Sequence, residues 1–293
     1  MRVRKKKAGA GYTLFMCHSY SKNVENMVLY AMKYSMKPKV KELADVLVQS
    51  LSLWETVECI CLNEAAAVDT LDPYFALILD VYTRGDIPPV HVRKSMYPVH
   101  SVFETSPTGT KDRFMVGELP VRIEFKTVNR IEELTSIALR AGSDLWKIRG
   151  SGTYVFYRLV HCKLLFQKTE WLSGITDQLS QLPDSFWVEM RSFYQSTMEH
   201  FLSDLGSSII QDDPFHYMVS AASFIKYACA VLFMENGEFE PSHRGYLSRV
   251  NSLQTIPDDF LGRFESFLRP DSELPPDRKY ALAKLIARSI VSL

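Results

Sequence analysis

The sequence predicts an α+β protein in three stretches: a basic tail over residues 1–36, a small mixed-sheet domain over 37–128, and an all-α helical bundle over 129–293. Two observations carry this. Before residue 130, short runs rich in valine, isoleucine and cysteine alternate with proline and charged turns, the pattern of strands joined by loops. After it, apolar residues recur at helical spacing almost without interruption. A chain of 293 residues with 46% hydrophobic content is long enough for one large domain or two ordinary ones.

The elements follow in order. "KPKVKELADVLVQSLSLW" sets Val40, Leu43, Val46, Leu47 and Leu51 at helical spacing, with Pro38 suited to a first turn. "TVECICLN" reads as a strand, and Cys59 and Cys61 share one of its faces. After the loop "EAAAVDTLDP" comes a second strand, "YFALILDVY", then a proline-rich connection from Asp86 to Pro98. "DRFMV" and "PVRIEFK" flank "GEL", a three-residue link that suggests a hairpin. In the second half, "NRIEELTSIALRAG" has an Asn129 cap with Glu132 three residues on, and ends at Gly142. "GTYVFYRLVHCKLLFQKTEWL", "SFWVEMRSFYQSTMEHFLSDLGSSI", "DPFHYMVSAASFIKYACAVLFMENG", "DDFLGRFESFL" and "PDRKYALAKLIARSIVSL" complete a bundle of five or six helices. Its aromatics, such as Phe156, Trp171, Phe193 and Phe224, are expected in the core. Tyr157 and His161, one turn apart beside Arg158, read as helix packing.

Composition narrows the partners. Thirty-four basic and thirty-four acidic residues cancel, so charge gives no indication of nucleic acid, nor of an anionic membrane surface. An anionic ligand must be held by local geometry. The one asymmetry is "MRVRKKK", read as a solvated basic tail, since the apolar stretch after it is short for a leader and lacks an obvious cleavage site. Five cysteines, Cys17, Cys59, Cys61, Cys162 and Cys229, lack metal spacing, so they are expected to be reduced and the protein cytoplasmic. No uninterrupted apolar run reaches the roughly 18 residues of a membrane span, and "AASFIKYACAVLFM" is broken by Lys226.

Two acids stand where strands should be apolar. Alternation puts Asp80 on one face with Ala76, Ile78 and Tyr82, opposite Leu77, Leu79 and Val81. A carboxylate there is costly to desolvate unless a cation or donors meet it. Glu124, in "VRIEFK", shares its alternation with Arg122 and Lys126, and pairing with either on a solvated face is a sufficient account of it. Two acids on neighbouring strands equally describe a divalent-metal site for nucleotidyl transfer.

The order of helix, strand, small-residue loop, acid-bearing strand and later acid-bearing strand, followed by a helical bundle, resembles the nucleotidyltransferase superfamily. The likeness is to its two-domain group, which includes aminoglycoside and minimal nucleotidyltransferases. The segments "LDPYFALILDVY", "KDRFMVGELPVRIEFK" and "LFMENGEFEP" look like an uncharacterised bacterial branch of that group. The resemblance implies magnesium or manganese held by Asp80, Glu124 and, as a substitute acid, Asp72, with Asp80 and Glu124 catalytic and a nucleoside triphosphate as substrate. The nucleotide would be contacted by Asn63 and Glu64 and, after the Ser/Thr/Gly loop "TSPTGT", by Lys111 and Arg113.

Departures from the family pattern are specific. Where it carries Gly-Ser, this chain has Asn63, Glu64 and Ala65; where it carries the first of two acids, this chain has Ile78. Two functions stay open: transfer of a nucleoside monophosphate to a hydroxyl or amine, or a degenerate fold serving as a nucleotide-sensing or partner-binding module. The acceptor or protein partner is not named by the sequence.

Overall fold

The structure, a computed structural model, describes residues 38–65, 77–98, 102–242 and 246–293, without the side chains of Glu64 and Ala65. The basic tail and Asp72 lie outside these residues. The protein is α+β, and it divides into two compact units, Met1–Lys126 with Lys163–Lys168, and Thr127–Cys162 with Thr169–Leu293.

The first unit is built on a six-stranded sheet. Its elements are α1 (Pro38–Ser52), β1 (Val57–Ala65), β2 (Leu77–Thr83), α2 (Val90–Met96), β3 (Phe103–Thr105), β4 (Lys111–Val116), β5 (Leu119–Thr127) and β6 (Lys163–Gln167). The strand order is β3-β4-β5-β2-β1-β6. β1 pairs antiparallel with β2 and β6, and β4 pairs antiparallel with β3 and β5. One core gathers Val40, Leu47 and Leu51 of α1 with Ile60, Leu79, Val81, Ile123 and Phe125 of the strands. Full burial of a leucine such as Leu47 stabilises by about 1.5–3 kcal/mol. The expected helical stripe holds with one exchange. Val46 is 46% exposed, because it falls off the stripe that Val40, Leu43, Ala44, Leu47 and Leu51 bury.

Three readings of this unit are corrected. The connection from Asp86 to Pro98 contains helix α2, too short for periodicity to register; Pro89 sits at its N-cap and accepts from Val92 and Arg93 through its carbonyl. The hairpin link is two residues, because Val116 pairs with Leu119. Gly117 takes φ +58, the positive first position of a type II′ turn, which suits the twist of the flanking strands. The stretch read as one helix from Gly152 to Leu172 is interrupted. Lys163–Gln167 is strand β6, paired with Cys59–Leu62 on the far edge of the sheet.

The second unit is helical: α3 (Val128–Arg140), a 3₁₀ turn (Ser143–Leu145), α4 (Trp146–Arg149), α5 (Tyr154–His161), α6 (Trp171–Ser180), α7 (Asp184–Ile210), α8 (Pro214–Glu235), α9 (Tyr246–Val250), α10 (Phe260–Phe267) and α11 (Pro276–Val291). β5 runs into α3 without a loop, so Thr127 takes the N-cap position expected of Asn129, and the helix closes on a left-handed Ala141. α8 begins with Pro214 at its first turn, and the Asp213 side chain accepts from His216 N. From Ala228 to Met234 every residue of α8 is buried, as in a helix surrounded by protein. Pro214–Glu235 is long and apolar enough by length and composition to cross a membrane, although Lys226 interrupts its apolar run as the sequence indicates; half of its apolar window is packed inside the unit, as in a core helix. Phe156, Trp171 and Phe224 are buried as expected, and Phe193 is half-buried under the Arg149 guanidinium, 5.5 Å from its ring centre.

Candidate functional site

The face of the sheet opposite the α1 core is charged, and alternation decides which residues stand on it. Lys111 lies across from Glu124, and Arg113 across from Arg122, so β4 and β5 present four charges in two cross-strand pairs. Lys126 continues the row, and β2, the next strand, contributes Asp80. Cys61 of β1 is the register partner of Asp80.

Asp80 is 0% exposed, and its Oδ2 atom is met by a cation from within the chain. Lys126 Nζ donates to it at 2.7 Å, Asn63 Nδ2 donates to the same oxygen, and the Tyr82 hydroxyl stands at 3.4 Å. Lys126 Nζ is also 3.9 Å from Glu124 Oε2. Glu124 Oε1 faces Arg122 Nε at 3.0 Å, a coulombic contact not aligned as a hydrogen bond, and Lys111 Nζ at 3.7 Å. The two acids therefore do come together, on neighbouring strands and one face, and Lys126 sits between them.

Magnesium needs carboxylate oxygens at about 2.0–2.1 Å in near-octahedral order. The Asp80 Oδ2 atom already receives two N–H donors, one of them an ammonium that would repel a second cation. Among the described residues no three acids, histidines or cysteines converge. The described residues do not fit a divalent-metal centre.

The remaining candidates fall around this row. Lys111 and Arg113 are exposed on β4, and Arg113 has no ion-pair partner among the described residues. Asn63 is spent on Asp80. Glu64 belongs to β1, but its side chain lies outside the described residues, as does the whole of Asp72. Ile78, where the family pattern has an acid, is fully buried.

A second ion pair, missed in the sequence, occupies the core face of β4. Asp112 alternates with Phe114 and so points inward, where Arg93 of α2 meets it through Nε at 2.8 Å and a terminal nitrogen at 2.9 Å. Tyr97 Oη and Thr105 Oγ1 also donate to Asp112, and Arg93 donates to the carbonyls of Pro88 and Gly109. Burial first, then the Asp112 charge, pushes the Tyr97 hydroxyl far above its ordinary range, so it stays a donor. This cluster ties α2 and the "TSPTGT" loop to the sheet and so fixes the strand that carries Lys111 and Arg113. In the helical unit, burial and the neighbouring Arg249 charge push His161 down to about 4, and its ring lies 4.3 Å from that of Tyr157.

No family model and no curated protein matches the sequence. Among solved structures the chain is similar to a nucleotidyltransferase-like protein from Exiguobacterium sibiricum 255-15, at 12% identity and a TM-score of 0.46, over 86% of this chain and 74% of that one. A likeness at that level transfers no residue role.

Proposed function

We propose that the protein is a nucleotidyltransferase-like binding module that senses a nucleotide without metal-dependent transfer, the place of the divalent ion being taken by Lys126. The observation that carries this is the ammonium at 2.7 Å from Asp80 and 3.9 Å from Glu124. Lys126 between the two acids and Arg122 beside Glu124 together balance the acid pair, so the face offers an anion only its outer cations. Lys111 and Arg113, exposed after the "TSPTGT" loop, are the groups that meet phosphate oxygens. Ile78 and the Asn63-Glu64-Ala65 stretch support the same reading, since neither supplies a metal-site acid or the usual phosphate grip at the family's positions.

Calorimetric titration with each of the four nucleoside triphosphates, once with a chelator and once with manganese, tests it. The expected outcome is binding of at least one triphosphate with the same affinity in both conditions, weakened about tenfold by Arg113→Ala. Binding that requires manganese would restore the transferase. Silence from all four triphosphates would remove the nucleotide from the proposal.

A further inference from the structure

The helical unit contains a cavity of about 370 Å³, within the range of about 300–1,000 Å³ typical of small-molecule sites. It does not depend on the charged sheet face. Its floor is a carboxylate, and the local sequence explains how it is held. α8 ends at Asn236, whose side chain donates to Leu232 O and Thr255 O and accepts from the backbone of Gln254 and Thr255. Gly237 at φ +63 turns the chain, and Glu240 N donates to Thr153 Oγ1, which directs the glutamate inward. Each carboxylate oxygen then accepts from a tyrosine, Tyr194 at 2.5 Å and Tyr246 at 2.6 Å. Gly152, at φ +73, lies so close that a Cβ there would stand 3.3 Å from Glu240 Oε2. Both the left-handed backbone and this approach require glycine.

Among the described residues the charges around the cavity are not balanced in place. Glu240 is 6% exposed, and among the described residues no lysine, arginine or histidine nitrogen lies within ion-pairing distance of it. Its two tyrosine partners are hydroxyls, which donate hydrogen bonds and supply no counter-charge. Burial first, and then the Glu240 charge, hold both tyrosine hydroxyls far above their ordinary range, so they remain donors. The same cavity is lined by Lys226 and Arg149. Lys226 has no ion-pair partner among the described residues, and Arg149, paired with Glu189 through a terminal nitrogen, leaves its buried Nε without a hydrogen-bond acceptor. A lone cation would be repelled by these two residues, and a lone anion by Glu240.

We infer that this cavity binds a small zwitterion, its protonated amine on Glu240 between Tyr194 and Tyr246, its carboxylate or phosphate on Lys226 and Arg149. Tyr227, which also lines the cavity, carries the Lys226 ammonium 5.1 Å from its ring centre and so holds that cation at the cavity wall. The complementarity is that of opposite charges separated by the cavity, so each end of the ligand meets its counter-charge.

The test uses the full chain. Thermal shift and calorimetry are run with the twenty common amino acids and with 2-aminoethyl phosphate, against ethylamine, acetate and inorganic phosphate as half-ligands. At least one zwitterion is expected to bind saturably and at least tenfold more tightly than any half-ligand, and the amino-acid and aminoethyl phosphate arms distinguish carboxylate from phosphate. Glu240→Gln is expected to weaken that ligand at least tenfold. Because Glu240 also holds two tyrosines, Lys226→Met, at the half-buried rim, provides a variant that leaves the glutamate contacts in place, with the same expected loss. No saturable binding by any zwitterion overturns the inference. So does equal binding of ethylamine, or binding unchanged in Lys226→Met.

Discussion

Removing the two partners of the Lys126–Asp80 pair should cost different amounts, and the difference follows from their exposure. Asp80 is 0% exposed, whereas the Lys126 side chain is 19% exposed. Lys126→Met removes the one ammonium that meets this buried carboxylate among the described residues, while the Asn63 and Tyr82 donors stay. Stranding a buried charge in this way costs about 3–5 kcal/mol. Asp80→Asn leaves the lysine instead, and Lys126 can turn toward Glu124 at 3.9 Å and toward solvent, so the loss should be about 1–2 kcal/mol, that of a hydrogen bond to a charged group. The double variant should recover about 1–3 kcal/mol relative to the sum of the single losses, since the two sites interact directly. Urea denaturation gives the free energies, and hydrogen exchange of peptides spanning β2 and β5 assigns the change to the sheet unit, because two units need not unfold in one transition. If Asp80 were instead one of several acids awaiting a metal, neutralising it would relieve repulsion. A more stable Asp80→Asn, or a Lys126→Met as mild as Asp80→Asn, refutes the internal-cation account.

Two further outcomes are expected. Arg93→Met should destabilise the sheet unit by about 3–5 kcal/mol, because Asp112 at 0% exposure would lose both arginine contacts; adding Asp112→Leu should recover most of the loss, and a double variant as unstable as the single one would show that packing, not charge, sets the cost. His161, held down to about 4 in the fold against about 6.5 unfolded, favours the neutral ring, so its contribution is complete above pH 6.5 and is lost as pH falls toward 4. The helical unit should therefore weaken by about 2–3 kcal/mol across that window, and His161→Phe should flatten the slope between pH 6.5 and 5; an unchanged slope in chemical denaturation would assign it to other groups.

Much of the sheet unit was legible because its signals are local. Val40, Leu43, Leu47 and Leu51 announce α1, and the alternation of "LILDVY" puts Asp80 opposite the core face. What Asp80 meets was not legible, because Lys126 approaches from a strand 46 positions away, and nothing in a single sequence states that β5 lies beside β2. The inward turn of Asp112 follows from its parity with Phe114, but its arginine partner comes from α2, which no periodicity announces. β6 was hidden because a short apolar run, Leu164 to Phe166, is compatible with helix or strand, and only the open edge of β1 decides between them. The cavity around Glu240 has no sequence signature, since its glycine, tyrosines and acid come from segments scattered between residues 152 and 246.

The return of β6 to the sheet has a consequence for how the chain is made. On a ribosome, the sheet unit cannot finish when its first 126 residues have emerged, because its edge strand follows Thr127–Cys162. At about 5–20 residues per second, translation holds β1 with an unpaired edge for a few seconds. An unpaired edge is a template for other strands, so a nascent or truncated chain ending before Lys163 is the form in which this protein is most exposed to strand-mediated aggregation.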